Sequence, residues 1–174
     1  MNLIKRILNQ PVPRDRFRAC HGFFDLDAGS GYEGPMDSVG AMIEAKVMRG
    51  DGYGAFRPDD ALTFAELAMA ICRLAGVPDR ATRPLPGDFR WWSGAVANAR
   101  SLYGGFPEGM EERLADLDHV AACLRAVSPG SADRIDRYVE GRPGGRYVTR
   151  AEFCEMAVRT GVLRTEKGRC GQWA

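Results

Sequence analysis

The sequence lacks an excess of charge of either sign, a long apolar run and any paired-cysteine motif. Its 24 basic and 23 acidic residues leave a net charge of +1, so no overall field attracts nucleic acid or an acidic membrane surface. The opening MNLIKRILNQPVPRDR has too short an apolar stretch for a secretory signal, and no later stretch is long enough to span a bilayer. We therefore expect a cytosolic chain with no nucleic-acid partner and no membrane span.

Cysteine is present but not in a pattern that indicates zinc or dithiol chemistry. The five cysteines are odd in number and widely spaced: Cys20, Cys72, Cys123, Cys154 and Cys170. No C-x-x-C pair occurs. We expect reduced, mostly buried thiols, with a disulfide from Cys20 or Cys170 to a partner as the alternative for an exported protein.

Patterns for metal binding and catalysis are also missing. The stretch DLDAGSGYEGPMD begins with the acid spacing of a calcium loop at Asp25, but Gly29 stands at the third ligand position and the distal glutamate is absent. His21 and His119 are far apart, and His119 falls at an apolar position of a predicted helix, which favours a core or interface role. No nucleophile stands beside a base in a recognised motif. We expect no metal, no cofactor and no enzymatic activity.

The sequence does contain the same helix start twice. Thr63 is followed three residues later by Glu66, and Thr149 is followed in the same way by Glu152. This spacing is typical of a capping box, in which the hydroxyl and the carboxylate each accept from a free backbone N–H group of the first turn. Apolar residues at helical spacing follow both boxes. The recurrence indicates an internal repeat.

A third helix can be aligned with these two. When the helices beginning at Leu62, Leu114 and Val148 are superposed, acids and arginines coincide seven residues apart, on one side of each helix. The coinciding residues are Glu66, Asp118 and Glu152, then Arg73, Arg125 and Arg159. A chance match between amphipathic helices is the alternative. Each helix follows a second helical segment and a glycine-rich loop, so the sequence predicts an all-α fold of three helix-loop-helix units.

These motifs resemble the S-layer homology family. The carrying stretches are FFDLD at 23–27, GDGYGAFRPDD at 50–60, TFAEL at 63–67 and TRAEF at 149–153. The resemblance covers residues 22–163 and is weak in the middle, where LADLDHV replaces the cap motif. It implies three repeats around a pseudo-threefold axis, with a central three-helix bundle and loop prongs. The implied divisions are an arm at 1–21, repeats at 22–79, 86–128 (degenerate) and 129–163 (shortened), and a tail at 164–174.

The same resemblance implies a function. In the family, grooves between neighbouring repeats hold cell-wall glycans, typically a secondary polysaccharide with pyruvylated sugars, and the motif arginine grips the acidic substituent. The expected function is non-catalytic anchoring to a bacterial cell envelope. Candidate glycan-binding residues come from the last helix start, the first loop and a tryptophan pair: Arg150, Thr149, Glu152, Asp51, Gly52, Arg57, Trp91 and Trp92.

Each candidate has a second interpretation that the sequence leaves open. Arg150, at the first position of a capped helix, suits a carboxylate ligand. Alternatively, it merely covers its helix end or pairs with a surface acid. In the loop that contains Asp51, this carboxylate can accept hydrogen bonds from sugar hydroxyls, and Arg57 supplies a second cation. Alternatively, the loop is only a glycine-shaped turn around a buried Phe56. One of the two tryptophans is expected in the core, and the other is a platform for a sugar ring.

The other two units lack the motif arginine. The alignment places Phe64 and Asp116 at the position of Arg150, so at most one groove is expected to bind in the family manner.

A second function stays open at this point. The chain would be a small structural protein of a phage or prophage particle that contacts other protein subunits, with both termini ordered against neighbours. Such a protein is made in the cytoplasm and needs no export signal, whereas the anchoring function implies a location at the cell surface. A particle protein with glycan affinity would unite both functions.

Overall fold

The computed structural model describes residues 22–26, 31–77, 90–104, 106 and 108–163. The predicted arm at 1–21, the tail at 164–174, His21, Cys20 and Cys170 lie outside these residues. The described chain forms helices and no β-strand, so the all-α prediction is confirmed. The α-helices are α1 (Met36–Glu44), α2 (Phe64–Leu74), α3 (Ser93–Tyr103), α4 (Leu117–Val127), α5 (Ala132–Val139) and α6 (Arg150–Arg159). Short 3-10 turns cover Phe24–Leu26 and Pro129–Ser131.

None of the helices in the described residues combines the length and the apolar character needed to cross a membrane.

The helices pack in three pairs. Helix α3 packs against α2, α5 packs against α4, and α1 packs against α6. The first helix of each predicted unit thus lies on the second helix of the preceding unit. Helix α1 closes the series by lying on α6, the last helix in the described residues. Each pair buries its apolar stripe, because an amphipathic helix needs a partner to remove that stripe from water.

Helices α2, α4 and α6 begin around a common centre, where their leading backbones form a closed ring of hydrogen bonds. The N–H of Leu62 donates to the carbonyl of Val148 over 2.8 Å, that of Ala115 to Leu62 over 2.7 Å, and that of Val148 to Ala115 over 3.1 Å. These bonds satisfy backbone groups at helix starts, where intrahelical partners are absent.

A second ring surrounds the first. In it the leading N–H of each helix donates to the segment before another helix, over 2.9 Å in all three cases. The bonds run from Phe64 to Arg113, from Leu117 to Arg146 and from Arg150 to Asp60.

The ring corrects the predicted alignment of the second unit by one residue. Ala115, rather than Leu114, takes the place of Leu62 and Val148. Asp116 is therefore the cap of α4, and its side chain accepts from the N–H of His119. The predicted match of Asp118 with Glu66 was wrong, and so was that of Arg125 with Arg73. LADLDHV contains two possible acidic caps, and the tertiary hydrogen bonds select the first.

The correction also moves His119 out of the apolar column in which the sequence placed it. Its ring is part-exposed and bonds to the Asp116 carboxylate at 2.8 Å. His119 thus occupies the position that the glutamate holds in the two capping boxes. Both predicted boxes are confirmed, since Thr63 with Glu66 and Thr149 with Glu152 form the reciprocal bonds.

Three cysteines lie in the core that these helices enclose. Cys72, Cys123 and Cys154 are buried and form no disulfide, as predicted. Burial raises the pKa of both Cys123 and Cys154 to about 12, because a thiolate is poorly stabilised in an apolar interior.

Candidate functional site

A groove of about 700 Å³ lies between the first loop (residues 50–60), helix α2 and the start of α6. We call it the first groove. Four of the eight predicted site residues line it: Asp51, Arg57, Trp91 and Arg150. Gly52, Thr149, Glu152 and Trp92 are not among its lining residues.

The first loop is held in shape by Asp51. Its carboxylate accepts from the N–H groups of Tyr53 at 2.8 Å and Ala55 at 3.2 Å, and from the Arg57 guanidinium at 3.1 Å. The hydrogen bond from Tyr53 is the main cause that lowers the pKa of Asp51, so the carboxylate is ionised at neutral pH. Gly52 has a φ of +86°, a conformation that glycine adopts without strain. Asp51 and Gly52 therefore build the loop.

A second carboxylate ties this loop to the start of the unit. Asp25 accepts from the backbone N–H groups of Phe56 and Arg57, and Phe56 is fully buried with its ring edge-on to Phe23 at 5.9 Å. The predicted turn around a buried Phe56 is thus present, and it leaves Asp51 and Arg57 on the groove. Asp25 is the first acid of the incomplete calcium-loop pattern in the sequence, and in the structure it anchors the first loop.

Arg150 is buried, with 8% of its surface exposed. Its Nε donates to the carbonyl of Phe56 at 2.9 Å, one Nη donates to the carbonyl of Arg49 at 2.6 Å, and the other pairs with Glu66. The guanidinium also lies 5.0 Å from the centre of the Phe56 ring. Of the interpretations that the sequence left open, the structure shows the arginine paired with an acid, Glu66.

The positions equivalent to Arg150 in the two rings are Phe64 and Leu117, not Phe64 and Asp116 as the sequence alignment gave. Phe64 lies 6.3 Å from Phe106 and 5.1 Å from the His119 ring, edge-on to both. In the first unit this place is taken by the Arg150 guanidinium and its partners, whereas in the second unit it is taken by packed aromatic rings. Neither of the two positions equivalent to Arg150 carries an arginine.

Thr149 and Glu152 serve the backbone rather than the groove. The Thr149 hydroxyl accepts from the N–H of Glu152 at 3.2 Å, and the Glu152 carboxylate accepts from Thr149 at 3.0 Å and from Arg146 at 2.9 Å. Both side chains are therefore engaged at the start of α6.

The tryptophan pair divides as predicted. Trp92 is 7% exposed and packs in the core, whereas Trp91 is 64% exposed and lines the first groove. Trp91 stands just before α3, so an indole from the second unit reaches a groove whose loop belongs to the first.

Sequence reasoning missed Arg49. Its side chain is exposed and lines the first groove, one residue before the glycine that opens the loop. Arg49 lies outside the loop motif. The one sequence feature that could have indicated a role in binding is its position next to Gly50.

Comparison with known proteins finds a family for one segment of the chain. Residues 30–68 match the family model of the S-layer homology domain. The matched stretch contains α1, the first loop and the start of α2, and it supplies most of the first groove. The predicted resemblance to the S-layer homology family is confirmed for this segment. No curated protein matches the chain.

S-layer homology domains are known for cell-wall anchoring and are generally non-catalytic binding modules. Within the part of the chain that the structure describes, no three His, Cys, Asp or Glu side chains form a group able to hold a metal ion.

Proposed function

We propose that this chain is a non-catalytic module that binds a cell-wall polysaccharide in the first groove and thereby associates with a bacterial cell surface. The observation that carries the proposal is the exposed Trp91 on a groove formed largely by the segment that matches the S-layer homology family. An indole face is apolar and flat, and it suits the apolar face of a sugar ring.

We further propose that three units surround a pseudo-threefold axis. The two closed rings of hydrogen bonds support this arrangement, because each bond from one helix start has counterparts at the other two. The cyclic packing of the helix pairs supports it as well. The units are equivalent in backbone but not in chemistry, since Arg150, Phe64 and Leu117 share one position. We therefore assign glycan binding to the first groove alone.

Within the first groove, Asp51 and Arg57 have polar atoms positioned for sugar hydroxyls. Their mutual ion pair, at 3.0 Å, orients both side chains on the rim. Gly52, Thr149, Glu152 and Trp92 contribute by shaping the loop, capping α6 and filling the core. Arg150 contributes by holding the groove walls together.

The test is sedimentation of the purified protein with bacterial cell-wall sacculi that retain their secondary polysaccharide. We expect the wild-type chain to pellet, and Trp91→Ala to weaken binding on the order of tenfold because the ring loses its apolar contact. The matched control is Leu102→Ala, since Leu102 is an exposed apolar residue on α3 that does not line the groove.

Two outcomes would count against the proposal. One is a wild-type protein that stays in the supernatant at every salt concentration. The other is equal pelleting by Trp91→Ala and wild type. The role in a phage particle stays a prediction, and no contact among the described residues favours it.

A further inference from the structure

The arginine that the family resemblance assigns to the acidic ligand is already occupied. All three nitrogens of the Arg150 guanidinium have protein acceptors, namely two backbone carbonyls and the Glu66 carboxylate. A carboxylate ligand would have to displace Glu66, which at the same time accepts the backbone N–H of Thr63. Displacement would therefore disturb the cap of α2.

The neighbouring arginines of the groove are engaged as well. Arg57 donates to Asp51 through Nε at 3.1 Å and Nη at 3.0 Å. Arg73 donates to the carbonyl of Val47 at 3.0 Å. Among the groove arginines in the described residues, Arg49 is the one whose side chain forms no hydrogen bond and no ion pair.

The charge of the groove favours an anion. Four arginines line it against three acids: Arg49, Arg57, Arg73 and Arg150, then Asp51, Asp60 and Glu66. Asp51 pairs with Arg57 and Glu66 pairs with Arg150. Arg49 and Arg73 are then left against Asp60, so the groove keeps one excess positive charge. Arg73 is bonded to Val47, whereas Arg49 is a planar donor still available to bind carboxylate or phosphate oxygens bidentately.

We propose that Arg49, rather than Arg150, receives the anionic substituent of the glycan, with the sugar ring against Trp91. This inference rests on the glycan-binding function proposed above and adds the residue that contacts the carboxylate or phosphate group of the sugar. Arg150 is then a positioning residue, because its Nη bond to the Arg49 carbonyl fixes the backbone from which the Arg49 side chain extends.

The test is calorimetric titration of the full chain with three soluble probes: a pyruvylated saccharide, the same saccharide without pyruvate, and the same saccharide phosphorylated. The key variant is Arg49→Gln. Its matched control is Arg137→Gln, which removes the same charge from an exposed arginine on α5, away from the groove. Thermal unfolding of each variant establishes that it is folded.

Arg49→Gln should weaken binding of the preferred anionic saccharide on the order of tenfold or more. Binding of the neutral saccharide should change by less than about twofold, since that sugar never contacted the charge. Arg137→Gln should bind like wild type. The anion that wild type prefers over the neutral sugar distinguishes a carboxylate from a phosphate.

Other outcomes overturn the inference in distinguishable ways. If Arg49→Gln binds the charged sugar as wild type does while Trp91→Ala does not bind, the groove function holds and the role of Arg49 is refuted. If wild type binds charged and neutral sugars with equal affinity, the groove does not recognise the charged group, and the role of Arg49 is refuted. If wild type binds neither the probes nor sacculi, both proposals fail.

Discussion

Replacing Arg150 with methionine should destabilise the fold substantially, although the residue is a charged side chain at a helix start. Methionine keeps the apolar contact with the Phe56 ring but removes the donors to the carbonyls of Phe56 and Arg49 and the partner of Glu66. Each buried hydrogen bond contributes about 1 kcal/mol. Loss of a partner from a partly buried ion pair adds a similar amount, which is less than for a fully buried pair because Glu66 is part-exposed. We expect a loss of about 3 kcal/mol.

The assay is urea unfolding followed by helical circular dichroism, with the free energy of unfolding extrapolated to zero denaturant. Glu66→Gln is the matched variant, since it removes the charge and leaves an amide able to accept at the cap. The double variant completes a cycle, in which the two changes should be coupled by about 1 kcal/mol. A loss below about 1 kcal/mol for Arg150→Met would refute the view that this side chain joins the first loop to α6.

Three further predictions concern the ends and the interior of the helices. Thr149→Ala should lower the free energy of unfolding by about 1 kcal/mol through the lost cap, whereas Thr149→Ser should retain it; equal values for the two variants would contradict the capping role. In a Cys20→Ser, Cys170→Ser chain, a thiol reagent should label no cysteine rapidly in the folded state and three in denaturant, because the remaining thiols are buried. Folding raises the pKa of Cys123 and Cys154 from 9.0 to about 12. Between these values the unfolded chain loses the thiol protons more readily than the folded one, so the free energy of unfolding should be unchanged below pH 9 and should fall as the pH rises toward 12.

The sequence was sufficient for features determined within a few residues. A capping box needs only Thr63 and Glu66 three positions apart, and the reciprocal hydrogen bonds follow from backbone geometry. The division of the tryptophan pair was predictable for a similar reason, because adjacent residues at a helix start point in different directions and only one can face the core.

Features that depend on residues far apart in the chain could not be predicted from the sequence. Asp116 and Asp118 are both reasonable caps, and the choice depends on hydrogen bonds to segments far along the chain. The engagement of Arg150 depends on partners 84 to 101 residues away. Its position at the start of α6 was predictable, but whether its guanidinium meets a ligand or the protein was not.

The pairing of α1 with α6 bears on how the chain reaches its native state. During synthesis, α1 leaves the ribosome long before α6 has been made, so the apolar side of α1 lacks its native partner until α6 emerges. We expect nascent chains that stop before α6 to aggregate or to bind chaperones. We also expect the tertiary structure to form cooperatively after α6 has emerged, rather than one unit at a time.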